Sequence, residues 1–192
     1  KNIMFLEDIL FVLEGNKRRF VRDSEAYHIL IFGKPGNKGM WGWRFEGHHL
    51  SFNYTILNSK VTVVPSFWGS NPAVCDFGPG RKLIALEVEE FAARKLRNSL
   101  SAEQAKQAVI ADKAPRDILT SALPEVKALE NTGIAYGALN KGQQAQLTTL
   151  IQEYINRHRA VVAKEDWAKI EKGGLDKIRF SWAGSTKAFE PH

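Results

Sequence analysis

Between Trp41 and Ile56 the apolar residues change parity. Trp41, Trp43 and Phe45 occupy odd positions, whereas Leu50, Phe52, Tyr54 and Ile56 occupy even ones. Successive side chains of a strand point to opposite faces, so one unbroken strand would bury the first set and expose the second. The phase must therefore change between Phe45 and Leu50, and Gly47 is the residue that most easily permits a bulge or tight turn there. His48 and His49 fall on that irregularity. With the phase shifted, Arg44 and Glu46 share the polar face with His49, Ser51 and Asn53. If the break requires a positive φ at Gly47, Gly47→Val should destabilise the chain by about 1–3 kcal/mol.

The surrounding pattern predicts a mixed fold. Ile3, Leu6, Ile9, Leu10 and Leu13 recur at helical spacing before a Gly15-Asn16 stop, which predicts an amphipathic helix. From Tyr27 to Ile56 the chain is β-branched and aromatic, interrupted by the turn-forming KPGNKG at 34–39. A second turn at Asn58-Ser59 leads into Val61–Pro65, giving an antiparallel meander. The segment 66–81, SFWGSNPAVCDFGPGR, reads as an elaborate loop. Leu83–Leu100 reads as helical with a stripe at Leu86, Phe91 and Leu96, and Glu89-Glu90 as solvated helix residues. Ser101 with Gln104 is a capping-box signal for a helix to about Ala111. Residues 113–140 read as mostly irregular because Pro115, Pro124, Gly133 and Gly137 break any period. Leu147, Leu150, Ile151, Tyr154 and Ile155 predict a long helix after Asn140, extended by Trp167 and Ile170. Ile178, Phe180 and Trp182 alternate with polar residues, as in a half-buried strand that joins the N-terminal meander. The expectation is a single α+β domain over 1–192, an antiparallel sheet of about four to six strands with helices packed on one face.

Composition narrows the function classes. The 192 residues carry a formal net charge of +6, but the basic residues are mixed with acidic ones nearly everywhere. The basic knots Lys17-Arg18-Arg19 and Arg94-Lys95-Arg97 are short and belong to no recognisable nucleic-acid module, which disfavours nucleic acid as a partner. No apolar run approaches the roughly 18 residues of a transmembrane helix. Cys75 is the only cysteine, so an intrachain disulfide and a cysteine-built zinc site are excluded. The chain opens on Lys1 and carries no signal-peptide pattern, as expected of a processed product or of a chain lacking its true start.

The chemistry concentrates at the phase break. A guanidinium, a carboxylate, an imidazole, a hydroxyl and an amide on one surface could hold an anionic or hydroxylated ligand. They could also move a proton, with His49 as base, Glu46 orienting its ring and Ser51 supplying a hydroxyl. Ser51 lacks the G-x-S-x-G elbow of an activated nucleophile. Trp41, Trp43, Arg44, Asn53, Trp68 and Asn71 are the candidate ligand-binding residues, the tryptophans as apolar walls or stacking surfaces. His48 and His49 are candidate ligands for a divalent transition metal such as zinc, with a third ligand from His28, Glu46, Asp76 or His192. On a regular strand the two rings would face apart, so only the irregularity would let both reach one ion. The competing reading is a polar sheet face backed by core tryptophans. As functions these give a metal-dependent hydrolase-like domain with a histidine-centred site, or a non-catalytic module holding a small molecule, glycan, peptide or protein on its tryptophan-rich face.

The motifs YHILIFGKPG (27–36), WGWRFEGHHLSFNYTI (41–56) and VTVVPSFWGSNPA (61–73), with GIAYGALNKGQQAQLTTLIQEYI (133–155) and IRFSWAG (178–184), resemble the family known as domain of unknown function 3500. The resemblance covers most of the chain and implies no reaction. It implies that Gly47, His48, His49 and Asn53 lie in the family's signature, that many relatives are bacterial and exported to the periplasm or beyond, and that relatives continue past His192 with a strand-rich stretch holding a further histidine pair. The chain is accordingly expected to be truncated at its C-terminal end.

Overall fold

The N-terminal amphipathic segment forms helix α1 (Asn2–Leu13), ended by Gly15 at φ 76°. The structure, a computed structural model, describes residues 2–15, 23, 25–121, 123 and 132–192. Lys17, Arg18, Arg19 and Pro124 lie outside the described residues. Contacts divide the chain into two units, Lys1–Leu86 and Glu87–His192.

In the first unit, β1 (His28–Gly33), β2 (Met40–Glu46), β3 (Leu50–Leu57) and β4 (Lys60–Trp68) form a four-stranded antiparallel meander in sequence order. Asn58 and Ser59, both at positive φ, make the two-residue turn between β3 and β4, where paired left-handed residues match the twist of the flanking strands. The end of the sheet around Phe45, Leu50, Phe52 and Trp68 packs on α1. Ile3, Leu6, Leu50, Cys75 and Ala85 form the buried cluster, bordered by Tyr27, Phe45, Phe52 and Trp68. Within the segment expected to be loop, β5 (Val74–Asp76) pairs with β6 (Lys82–Ile84). The helix expected from Leu83 therefore starts later, because Leu83 sits in this hairpin and packs on the first core.

The second unit is built on α2 (Glu87–Ser99), α3 (Ala102–Ala108), α4 (Lys141–Ile155) and α5 (Ala160–Gly173), with β7 (Val109–Ala111), β8 (Ile134–Ala135), β9 (Arg179–Phe180) and β10 (Trp182–Ala183). Its core is Leu96, Ala108, Ile134, Leu139, Leu147, Phe180 and Trp182. The C-terminal strand does not join the meander. β9 pairs with β8 and β10 with β7, because Phe180 and Trp182 bury into this second core. Glu89 and Glu90 are not solvated either. Glu89 pairs with Arg157, and Glu90 with Arg94 at 3.0 Å, all with side chains at least 87% buried. Periodicity gave no sign of Arg157, 68 positions away from Glu89.

Ser101 and Gln104 form the expected capping box on α3, and Asn140 with Gln143 forms a second on α4. The two boxes are joined. Gln104 Nε2 donates to Gln143 Oε1 and Gln143 Nε2 donates to Gln104 Oε1, both at 2.9 Å. Gln143 Nε2 also donates to the Ser99 carbonyl at 2.8 Å, satisfying a helix-end acceptor of α2 that burial would otherwise strand. Gln143→Leu keeps the volume and removes these bonds. It should lower stability in chemical denaturation by about 2 kcal/mol, the usual cost of orphaning buried polar groups; a loss no greater than that of an exposed glutamine such as Gln107→Leu would refute the assignment.

Candidate functional site

The parity change between Phe45 and Leu50 is a chain reversal rather than a bulge within one strand. β2 and β3 pair antiparallel up to Glu46 opposite Ser51, and the Gly47 N–H donates to the Leu50 carbonyl at 2.9 Å to close the turn. Antiparallel partners share a face. Trp41 opposite Ile56, Trp43 opposite Tyr54 and Phe45 opposite Phe52 therefore lie on one side, and Arg44 opposite Asn53 with Glu46 opposite Ser51 on the other. Gly47 does not have a positive φ, so backbone strain is not why glycine is needed. A Cβ at Gly47 would overlap the Tyr27 ring.

The turn carries His48 and His49 to the end of the hairpin, where α1 brings up Glu7. One donor atom from each of Glu7, His48 and His49 lies within 4.8 Å of the others. His48 Nε2 is 3.3 Å from Glu7 Oε1, and the imidazole centroids are 4.1 Å apart at 44°. The Tyr27 hydroxyl donates to Glu7 Oε1 at 2.8 Å and accepts from the His49 backbone N–H. The His49 carbonyl accepts from the Gly69 N–H at 2.9 Å, which ties the segment after β4 to the turn. Glu7 is only 4% exposed, and its Oε2 is buried without a hydrogen-bond partner. Burial raises the Glu7 pKa above the ordinary 4.5, against the opposing pulls of the Tyr27 hydrogen bond and of His48. The Tyr27 hydroxyl is also driven up, by burial and then by Glu7.

Two imidazoles and a carboxylate are a donor set for zinc and similar ions, with oxygen and nitrogen at about 2.0–2.2 Å from the metal. The present spacing is slightly wider than ligands sharing an ion would show, so binding would draw the three together. The group that the structure brings to His48 and His49 is Glu7; among the described residues no such cluster includes His28, Glu46, Asp76 or His192. His28 is paired opposite Glu46 in the sheet, Asp76 Oδ1 accepts from Gly78 N at 3.3 Å, and His192 is stacked on Trp182. Glu7 did leave a trace in the sequence. It sits four residues after Ile3 and three before Leu10, a carboxylate on the apolar stripe of a helix, where burial needs a partner.

The polar face of the sheet holds a separate network. Arg44 Nε donates to Asn53 Oδ1 at 2.5 Å and Arg44 Nη1 to Glu46 Oε2 at 2.9 Å. Asn53 Nδ2 donates to Ser51 Oγ at 3.3 Å and to the Pro65 carbonyl at 3.0 Å. Arg44, Glu46, Ser51 and Asn53 thus come together as the alternation implied. His49 is not among them, and the Glu46 carboxylate is engaged by Arg44 rather than by an imidazole. The tryptophans divide. Trp68 packs on Phe52 at 4.3 Å beside the core, Trp43 stacks on Tyr54 at 4.1 Å and 7°, and Trp41 donates to the Gly36 carbonyl at 2.8 Å. Asn71 is exposed, two residues beyond Gly69. Cys75 is buried, and burial raises its thiol pKa, the state of an inert structural cysteine.

The sequence model of the family described as protein of unknown function (DUF3500) matches residues 1–192, so the chain belongs to that family. No curated protein and no solved structure matches it. Among the described residues no helix is long and apolar enough to cross a membrane.

Two outcomes follow from the geometry. A carboxyl whose pKa is raised on folding is charged more easily in the unfolded chain, so stability is greatest below pH 4.5 on this account and falls as pH rises toward the folded-state value. In metal-free protein Glu7→Gln should flatten that fall and raise the melting temperature at pH 7, and an unchanged pH profile would show that Glu7 is not buried as described. Gly47→Val should cost about 1–3 kcal/mol in denaturation through overlap with Tyr27, and Tyr27→Ala should relieve part of that cost in the double variant; strict additivity would refute the contact.

Proposed function

We propose that this DUF3500 member binds a divalent transition metal such as zinc through Glu7, His48 and His49, and that the site serves hydrolysis of a polar or anionic substrate. The observation that carries the reading is a buried carboxylate beside two adjacent imidazoles, with Glu7 Oε1 3.3 Å from His48 Nε2 and Oε2 buried without a hydrogen bond. A buried unpartnered carboxylate is costly, and a cation at that position would remove the cost. The residue types agree with the reading. Two histidines and one glutamate are a donor set of catalytic zinc sites, which hold the ion by three side chains and keep a position open.

When bound, an ion of this kind polarises a substrate oxygen and makes water nucleophilic near neutral pH. The rest of the work falls to the chain. Tyr27, donating to Glu7 Oε1, fixes the orientation of the carboxylate. Its second bond, from the His49 N–H, joins the orientation of the carboxylate to that of the turn. His48 has a side chain 24% exposed against 2% for Glu7, so the imidazole side of the cluster is the side that a substrate reaches. Such outer hydrogen bonds fix ligand geometry and commonly contribute tenfold to hundredfold in affinity.

Titration of metal-stripped protein with Zn²⁺, and with Co²⁺ read by its visible absorption, tests this. Saturation at one ion per chain is expected. His48→Ala and His49→Ala should abolish it, and Tyr27→Phe should weaken it about tenfold to hundredfold while leaving the stoichiometry unchanged. Sub-stoichiometric binding by the wild type, or full binding by both histidine variants, would overturn the assignment.

A further inference from the structure

The polar network on the far side of the hairpin borders a cleft of about 490 Å³, within the range of about 300–1,000 Å³ usual for small-molecule sites. Its floor is Gly42, which lies between Phe32 of β1 and Thr55 of β3. A Cβ on Gly42 would come within 2.6 Å of the Tyr54 carbonyl oxygen, so the floor carries no side chain because the strands leave no room for one. Phe32, Val64 and Pro65 line the cleft, and Arg44 and Asn53 also border it. We propose that this cleft is a binding site for a small organic carboxylate with an apolar body, the carboxylate held by Arg44 and the body by Phe32 and Val64.

The guanidinium is held ready for this. Val64 and Pro65 both fall opposite Asn53, where the β3–β4 register shifts, and this bulge presents the Pro65 carbonyl to Asn53 Nδ2. With its amide nitrogen fixed there, Asn53 offers Oδ1 to Arg44 Nε. Glu46 holds Nη1, and the guanidinium carbon lies 5.8 Å from the centroid of the Phe32 ring, over its face. Three contacts thus hold a planar donor whose remaining nitrogen, Nη2, has no partner among the described residues. The side chain is 42% exposed, so Nη2 is open to a ligand. A carboxylate oxygen can accept from Nη2 at a fixed position in the guanidinium plane that a lysine ammonium does not reproduce. Glu46 repels an anion at the Nη1 side, which leaves the Nη2 edge for it. Phe32 at 49% exposure and Val64 at 69% offer apolar surface that a purely ionic ligand would not cover, so an apolar body adds affinity that a bare anion lacks.

The site is independent of the Glu7, His48 and His49 cluster, and its test is built to keep the two apart. Phenylacetate is the probe, with phenylacetamide as its uncharged isostere and acetate as its truncated form, each titrated into EDTA-treated protein. Chemical-shift changes at Phe32, Arg44 and Val64, which line the cleft, are the readout, supported by the heat of titration. Phenylacetate should saturate with a Kd of about 1 mM, with the isostere and acetate each about tenfold weaker. Arg44→Gln and Arg44→Lys should both lose about tenfold while melting cooperatively as the wild type does. His48→Ala and His49→Ala should bind phenylacetate unchanged whether or not they bind metal. Equal binding of acid and amide by the wild type would overturn the proposal without recourse to any variant. It would equally fail if no saturation occurred below about 20 mM, if Arg44→Gln bound normally, or if binding vanished in the histidine variants alone, which would place the probe at the metal cluster.

Discussion

The reversal at residues 47–50 fixes what both faces of the sheet can be. A turn that leaves Glu46 opposite Ser51 makes odd positions of β2 partners of even positions of β3. The two apolar sets of conflicting parity then land on one side, where Phe45, Leu50 and Phe52 pack toward α1, and the polar residues between them gather on the other. A one-residue slip would turn Phe52 outward and carry Asn53 into the apolar layer. The Gly47 N–H to Leu50 carbonyl bond and the Tyr27 ring packed where a Gly47 side chain would be oppose that slip. The same reversal puts two histidines at a strand end, where neighbouring side chains are freed from the alternation that would point them apart.

Tyr27 connects this framework to chemistry. Its ring stacks on Phe45 at 5.4 Å, and its hydroxyl reaches the only buried carboxylate of α1. One residue therefore anchors in the apolar layer and orients the polar cluster above it. An aromatic body with a polar tip suits a boundary of this kind, where a purely polar residue would lose packing and phenylalanine would leave Glu7 without its donor.

Local signals in the sequence were reliable where one stretch of chain decides the outcome. The parity break, the Asn58-Ser59 turn, the Ser101 to Gln104 capping box and the apolar stripe after Asn140 all appear in the structure, as do the α+β class and the family. The parts that could not be read depend on distant partners. Phe180 and Trp182 show the alternation of a half-buried strand, but alternation does not say which core receives them, and β9 and β10 go to β8 and β7 rather than to the meander. The segment from Leu83 is as compatible with a hairpin strand as with a helix over so few residues. Glu7 joins His48 across 41 positions, a distance that no motif spans. Glu89 looks solvated on a helical wheel because the wheel omits Arg157, whereas Glu90 and Arg94 stand at i, i+4 on the same helix and their pairing could have been read. Asn140 and Gln143 were legible in principle, having the spacing of a capping box, but their joining to Gln104 was not.

The paired glutamines of the second unit have a consequence for how the chain responds to its surroundings. Gln104 and Gln143 form a closed ring of two amide bonds that fastens the first turns of α3 and α4 to each other. Neither group titrates, and neither carries a charge for salt to screen. A helix of seven residues such as α3 is too short to persist by itself, so this neutral clasp makes its existence conditional on α4. The fastening keeps its strength across acidity and ionic strength. In the first unit, by contrast, the buried carboxylate of Glu7 makes the histidine turn responsive to protons.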